Sequence, residues 1–257
     1  MITLTSLQLN GWLALMLWPF AHILALLATA PLTGSAQVPA PVKIGLAILI
    51  TAVIAPTLTI PAIDPGSGEG LLLLARETAL GIAMGLAMRL VFAGITAAGD
   101  VIGLQMGLGF AQFYDPQSNG QVPVLGQYLN LLATLTFLSL NGHLVMISTL
   151  IESFHSVPVD GGAAGQWLLI AQSGSMVMRA AILLALPLVG TLLVVNAALG
   201  VLTRSAPQLN IFAIGFPITL GVGFFALMMS LQYCVPVFER LFEAGFGNML
   251  QVSIPGR

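Results

Sequence analysis

Charged residues are scarce in this chain of 257 residues: seven Lys or Arg and nine Asp or Glu. A soluble domain of that length would carry roughly a quarter of charged residues, the coat that hydrates a folded surface. The shortage excludes an ordinary water-soluble globule. Disorder is excluded by the opposite figure, 58% hydrophobic residues, because disordered chains are poor in apolar side chains. A formal net charge of −2 leaves no basic surface for nucleic acid. The one cysteine, Cys234, closes no internal disulfide and says nothing of redox compartment. What remains is an integral membrane protein or a subunit of a membrane complex.

Six apolar stretches approach the roughly 20 residues that a spanning helix needs. They are Trp12 to Ala30, Ile44 to Ile63, Leu71 to Ala98, Val122 to Ile151, Trp167 to Leu202 and Leu209 to Val235. The first ends in Ala28-Thr29-Ala30, a small-x-small pattern, but no Lys or Arg precedes it as a secretory signal would require. Pro56 and Pro61 should kink or end the second. Arg76, Glu77 and Arg89 interrupt the third. Asn130, Asn141 and His143 interrupt the fourth, and Asn141-Gly142-His143 reads as the end of one helix and the start of another, with Gly142 tolerating the turn. The fifth should break at Arg179 and Pro187. The sixth contains Pro217 and leads into an amphipathic tail through Glu239, Arg240 and Glu243. Overlong, kinked runs of this kind predict helices packed in a protein bundle, where neighbours satisfy freed backbone groups. The few basic residues split too evenly to set an orientation. No charged or Ser/Pro-rich linker divides the chain, so residues 1–257 read as one unit.

The residues that carry enzymatic chemistry are missing from their usual arrangements. His22, His143 and His155 lie in three different contexts with no carboxylate or Cys at ligand spacing, whereas a metal site needs three or four convergent ligands. No Gly-x-Ser-x-Gly elbow, phosphate loop or His-Glu-x-x-His is present. The reading is of a protein with no cofactor and no catalytic site. Arg89 stands out as a structural charge: a cation at the centre of a span costs about 2.5–3.5 kcal/mol on insertion scales, so it should face protein, water or a partner. Asp100 lies 11 residues on, about 16 Å along a helix and too far to pair with it. Gly81/Gly85 and Gly99/Gly103/Gly107 match the small-residue spacing that lets helices approach closely. Such pairs are only slightly commoner than 28 glycines would give by chance, so they do not establish a dimer.

One stretch is more specific. Gly103-Leu104-Gln105-Met106-Gly107-Leu108-Gly109-Phe110-Ala111-Gln112-Phe113-Tyr114-Asp115-Pro116 sits between two long apolar runs. Gly103, Gly107 and Gly109 argue against a long helix, and Asp115-Pro116 reads as a turn. The result is a flexible loop bearing Met106, Phe110, Phe113 and Tyr114. Such a loop either caps a bundle core with its aromatics or blocks a central passage by hydrophobic constriction.

At this point the chain resembles the FliR family of flagellar export-gate proteins, related to the SctT family of virulence injectisomes. The matching strings are Val38-Pro39 with Val42-Lys43-Ile44-Gly45-Leu46-Ala47, Gly103 to Leu108 through Asp115-Pro116, and Asn141-Gly142-His143 leading to Phe154-His155-Ser156-Val157-Pro158. A further one is Arg204-Ser205-Ala206-Pro207-Gln208-Leu209-Asn210-Ile211-Phe212 with Gly215-Phe216-Pro217. The resemblance implies an all-α, membrane-associated bundle of long, kinked helices and helical hairpins, built into a helical export gate. Its N-terminal part would be FliP-like and its C-terminal part FliQ-like. It implies assembly with FliP and FliQ, work alongside FlhB and FlhA, passage of unfolded flagellar subunits, and a place in the bacterial inner membrane at the flagellar basal body, in contact with lipid. It also implies that Met106 to Asp115 plug the closed channel, with Phe110 and Phe113 as the seal. The competing class is a secondary transporter of small solutes, which would show internal repeats and a midplane ionisable site. No convincing repeat is found, and Arg89 alone is a poor coupling site.

Overall fold

In the computed structural model, which describes residues 6–59, 63–109, 123–156, 167–206 and 211–254, proline, serine and glycine decide where helices start and stop. The described residues form seven α-helices and no strand: α1 Ser6–Thr29, α2 Ala40–Ile54, α3 Gly68–Gln105, α4 Val124–Ser139, α5 Gly142–Ser156, α6 Trp167–Ser205 and α7 Ile211–Ser253. The all-α class read from the sequence holds. Helix α2 opens after Pro39 with a second proline in its first turn, where a missing N–H leaves no bond unmade. It ends in a 3₁₀ turn, Ala55–Thr57, around Pro56.

Helix α3 is bounded at both ends by side-chain and glycine chemistry. Its first turn is capped by Ser67, whose Oγ accepts the Gly70 N–H at 3.0 Å and donates to the Asp64 carbonyl at 2.6 Å. Its last turn closes when Gly107 adopts φ 85. The Leu108 N–H then reaches the Gly103 carbonyl and the Gly107 N–H the Leu104 carbonyl, both at 3.0 Å. This paired closure on a left-handed glycine satisfies carbonyls that the helix end would otherwise leave bare.

Three expectations change. The run 122–151 is two helices bent by 68°, as the sequence suggested, but Asn141 takes the positive φ of 55 and Gly142 opens α5 instead. Asparagine visits that region more readily than most residues because its short polar side chain can hydrogen-bond locally. The run 167–202 does not break at Arg179 or Pro187: α6 passes through both. Likewise α7 continues through Pro217 and Pro236 into the expected tail without a boundary. A single proline removes one backbone bond, and the long runs of Leu, Ala and Met around it favour helix enough to carry the chain past.

The helices gather into two compact units, neither contiguous in sequence: Met1–Leu90 with Asn141–Gly174 and Phe242–Arg257, and Val91–Leu140 with Ser175–Leu241. In the first, Trp18, Ile23, Leu26, Met84, Leu150 and Met249 share one buried cluster. Helix α1 lies directly on α3 there. A methyl at Gly81 would collide with the His22 carbonyl oxygen, and one at Gly85 would collide with Thr29 Oγ1 and come within 2.9 Å of the Leu26 carbonyl. In the second unit, Phe92 and Phe137 meet edge to face at 5.6 Å and 73°. There α3 crosses the start of α4 where Gly99 meets Gly126: a methyl on Gly99 would stand 2.6 Å from the Gly126 Cα. Gly94 similarly faces Ala180 of α6. The spaced glycines of α3 are thus used within the chain.

Of the six stretches suggested by hydropathy, four helices among the described residues are long and apolar enough to cross a membrane, or five if the bent α4–α5 pair counts as one broken span. At the chain start the apolar helix that can be followed among the described side chains is Leu15–Thr29. Burial divides the four sharply. In α3, 61% of the apolar window is buried; in α2, α6 and α7 the share is 22%.

Candidate gate segment and charged sites

The stretch singled out as a flexible loop starts as ordered helix. Gly103 belongs to the last turn of α3, Gly107 is the left-handed residue that ends it, and Gly109 follows in the turn. Sequence reasoning treated the three alike because glycine counts against helix on average; only Gly107 has the backbone that requires glycine. Met106 is fully buried. Its side chain presses on Gly223 of α7, where a methyl would meet Met106 Cγ at 2.6 Å, Cε at 2.8 Å and Sδ at 2.9 Å. The start of the segment is therefore pinned inside the second unit. Phe110, Phe113 and Tyr114 lie outside the described residues.

Beyond the segment, α4 begins after Pro123 without a side-chain cap. The carboxylate of Asp100 lies against that first turn from the side. Its Oδ1 occupies the space a Gly126 side chain would take, and it is buried with no hydrogen-bond partner. A negative oxygen beside the first turn of a helix interacts favourably with the positive end of its dipole. Beside this contact an apolar groove of ≈ 370 Å³ runs between Val124, Leu125 and Tyr128 of α4 and Phe224, Leu227 and Met228 of α7.

The first unit holds a second polar arrangement, which the sequence did not join. His22 on α1 and Glu77 on α3, 55 residues apart, are both buried, with Nδ1 and Oε2 2.9 Å apart. On the other side of the ring, Nε2 is 3.2 Å from the Met84 sulfur, and the Phe154 ring stacks at 4.7 Å. A thioether sulfur only accepts, so Nε2 carries a hydrogen and donates it to Met84. On the Nδ1 side the ring and the carboxylate satisfy one another, which is how an apolar core holds two ionisable groups. An imidazole in one apolar run and a carboxylate in another were the available signal.

Arg89 is placed differently. It is exposed on α3, and no ion pair or hydrogen bond ties it to another described residue. His143 is half-buried with an unpartnered Nδ1, and His155 is exposed at the end of α5. Among the described residues no three His, Cys, Asp or Glu side chains are grouped to hold a metal ion.

Against known proteins, residues 13–245 match the model of the family described as bacterial export proteins, family 1. The chain is 42% identical over 254 residues to the flagellar biosynthetic protein FliR of Escherichia coli (strain K12), covering 98% of this chain and 97% of that protein. The same name is borne by a Pectobacterium carotovorum protein with the same identity and coverage. It is also borne by a Bacillus subtilis protein at 31% identity over 235 residues, 90% of this chain and 91% of that protein. With its four membrane-length apolar helices and this full-length similarity, the chain belongs to the bacterial export proteins of family 1, among the flagellar biosynthetic FliR proteins.

Proposed function

We propose that this chain is a structural pore subunit of the flagellar protein-export gate in the bacterial inner membrane. On this reading it joins FliP and FliQ, with a FliP-like N-terminal part and a FliQ-like C-terminal part, and works with FlhB and FlhA while unfolded flagellar subunits pass. Its role is structural rather than catalytic.

The observation that supports it most is the length and bareness of α6 and α7. They contain 39 and 43 residues, so each is about 60 Å long at 1.5 Å per residue. The hydrocarbon core of a bilayer is about 30 Å thick. Even strong tilting leaves a large part of each helix outside it. Yet α6 shows apolar side chains to its surroundings from end to end, Leu168 at 70% and Val201 at 67% exposed. An apolar surface longer than the bilayer needs protein to cover the remainder, as neighbouring subunits of a gate would.

The segment Met106 to Asp115 closes the passage, with Phe110 and Phe113 as the seal. Met106 supports this as the anchor: its burial against Gly223 fixes where the segment leaves the packed unit. Two measurements test the reading. Purified through a tag on this chain after co-expression with FliP and FliQ, the native mass should be that of one particle containing all three; a lone monomer would end the gate assignment. Deleting residues 110–115, which spares the Met106 anchor, should leave that particle intact and make the membrane leak small ions. Intact particles without a leak would remove the plug from the reading.

A further inference from the structure

We propose that Asp100 is a positioning residue for the closing segment: its carboxylate holds the first turn of α4 and so fixes where the chain rejoins the packed unit after residues 106–123. The inference rests on the gate reading above and adds to it a residue on which the seal depends. Three observations meet at the crossing of α3 and α4.

The first is place. Asp100 stands about one and a half turns before α3 ends, and Gly126 lies in the first turn of α4. Their contact therefore closes the base of the segment. Met106, seated on Gly223, is the anchor at the other root.

The second is how bare this root is. A methyl on Gly99 would stand 2.5 Å from the Leu125 carbonyl oxygen and 2.6 Å from the Gly126 Cα. Glycine against glycine brings two backbones close but supplies no side chain to lock their register. Helix α4 opens after Pro123 without a side-chain cap, and the first N–H groups of a helix have no partner within it. Neither α4 nor the stretch 101–114 carries a charged residue. The carboxylate of Asp100 is what remains to hold the turn, through its attraction to the positive end of the helix.

The third is cost. Asp100 Oδ1 occupies the space of a Gly126 side chain and is buried with no hydrogen-bond partner. An oxygen buried without a donor loses more than a helix dipole returns. The contact therefore does not serve the stability of the fold. A broken local rule with no return to the fold points to a function met by position.

The test uses the full chain co-expressed with FliP and FliQ, with the purified particle reconstituted into vesicles loaded with potassium ions. Asp100→Asn keeps the shape of the side chain and removes its charge. Particle yield should not change, and the chain in detergent should unfold at the same temperature or higher. Potassium leak should rise about tenfold, the population shift that loss of a partly buried charge–dipole contact can produce. Because Asp100 acts through the segment, Asp100→Asn should add nothing to the leak of a chain that lacks residues 110–115. Vesicles as tight with Asp100→Asn as with the wild type would overturn the proposal. So would a variant that unfolds earlier and loses the particle, since Asp100 would then be an ordinary packing residue. A leak that adds to that of the deletion would place its action elsewhere and overturn it too. If the deletion leaks and Asp100→Asn does not, this inference alone falls. If the deletion leaves intact particles tight, the closing role of the segment falls, and this inference with it.

Discussion

Helices α3 and α6 are nearly equal in length, 38 and 39 residues, and both are apolar enough to cross a membrane, yet they are built for opposite surroundings. Helix α3 carries a charge every three turns or so along its middle, and glycines at 81, 85, 94 and 99 that each lie under another helix. Helix α6 has a 24-residue uncharged run, 180–203, and Gly174, Gly190 and Gly200 face open space. Hydropathy does not separate them. What separates them is where the glycines sit: in α3 they lie against neighbouring helices of the same chain, in α6 they meet nothing within 4 Å. A long apolar helix can thus be a packing axis or a surface awaiting cover, and the residue that tells them apart is glycine beneath a neighbouring backbone.

The comparison breaks most visibly at Glu77. If α3 is the packing axis of the first unit, removing one member of its buried pair should be severe: Glu77→Ala strands His22 in an apolar core and should cost about 3–5 kcal/mol. The double change His22→Leu with Glu77→Met, which leaves no charge to strand, should regain most of that loss. Thermal unfolding of the purified chain in detergent reads both. A mild Glu77→Ala, or a double variant no better than the single one, would mean the pair does not bear on the core. Next in size is Gly81→Ala. Its methyl would run into a backbone oxygen, that of His22, which has no rotamer to retreat to, so α1 and α3 must separate slightly at about 1–3 kcal/mol. The same substitution at Gly190 of α6, which meets nothing within 4 Å, should stabilise rather than destabilise, because alanine favours helix over glycine by up to about 1 kcal/mol. Opposite signs at the two glycines are the expected result in the same unfolding assay; equal signs would erase the distinction.

How much of this the sequence disclosed depended on whether the cause was local. The α2 end at Pro56 and the turn at 141–143 follow from residues acting on their own backbone, and both were legible. The identity of the left-handed residue at that turn was not, since asparagine and glycine compete for it and only tertiary placement decides. Pro187 misled for a related reason: it weakens a helix locally, and the decision belongs to the whole run, which α6 carries through. The His22–Glu77 pair and the seat of Met106 on Gly223 join positions 55 and 117 residues apart in sequence, so no periodicity could reveal them. The segment 106–115 was recognised by its composition and by resemblance, while its anchoring at Met106 came from the fold alone.

The finest resolution of the comparison comes from two positions two residues apart, one of which should change least of all. On α6, Leu192 is fully buried and Val194 is 70% exposed. Leu192→Ala should cost the isolated chain about 2–5 kcal/mol, through lost burial and the cavity left behind. Val194→Ala removes a side chain that touches little of this chain, and its stability should change by under about 0.5 kcal/mol. In the assembled particle the two should converge, since the subunit that covers the bare face of α6 would then lose its contact with Val194. Resistance of the particle to dissociation by detergent measures that second quantity. Should Val194→Ala weaken neither the chain nor the particle, the bare face of α6 would be meeting lipid rather than protein at that level, and the part of α6 that partners must cover would have to lie elsewhere along its length.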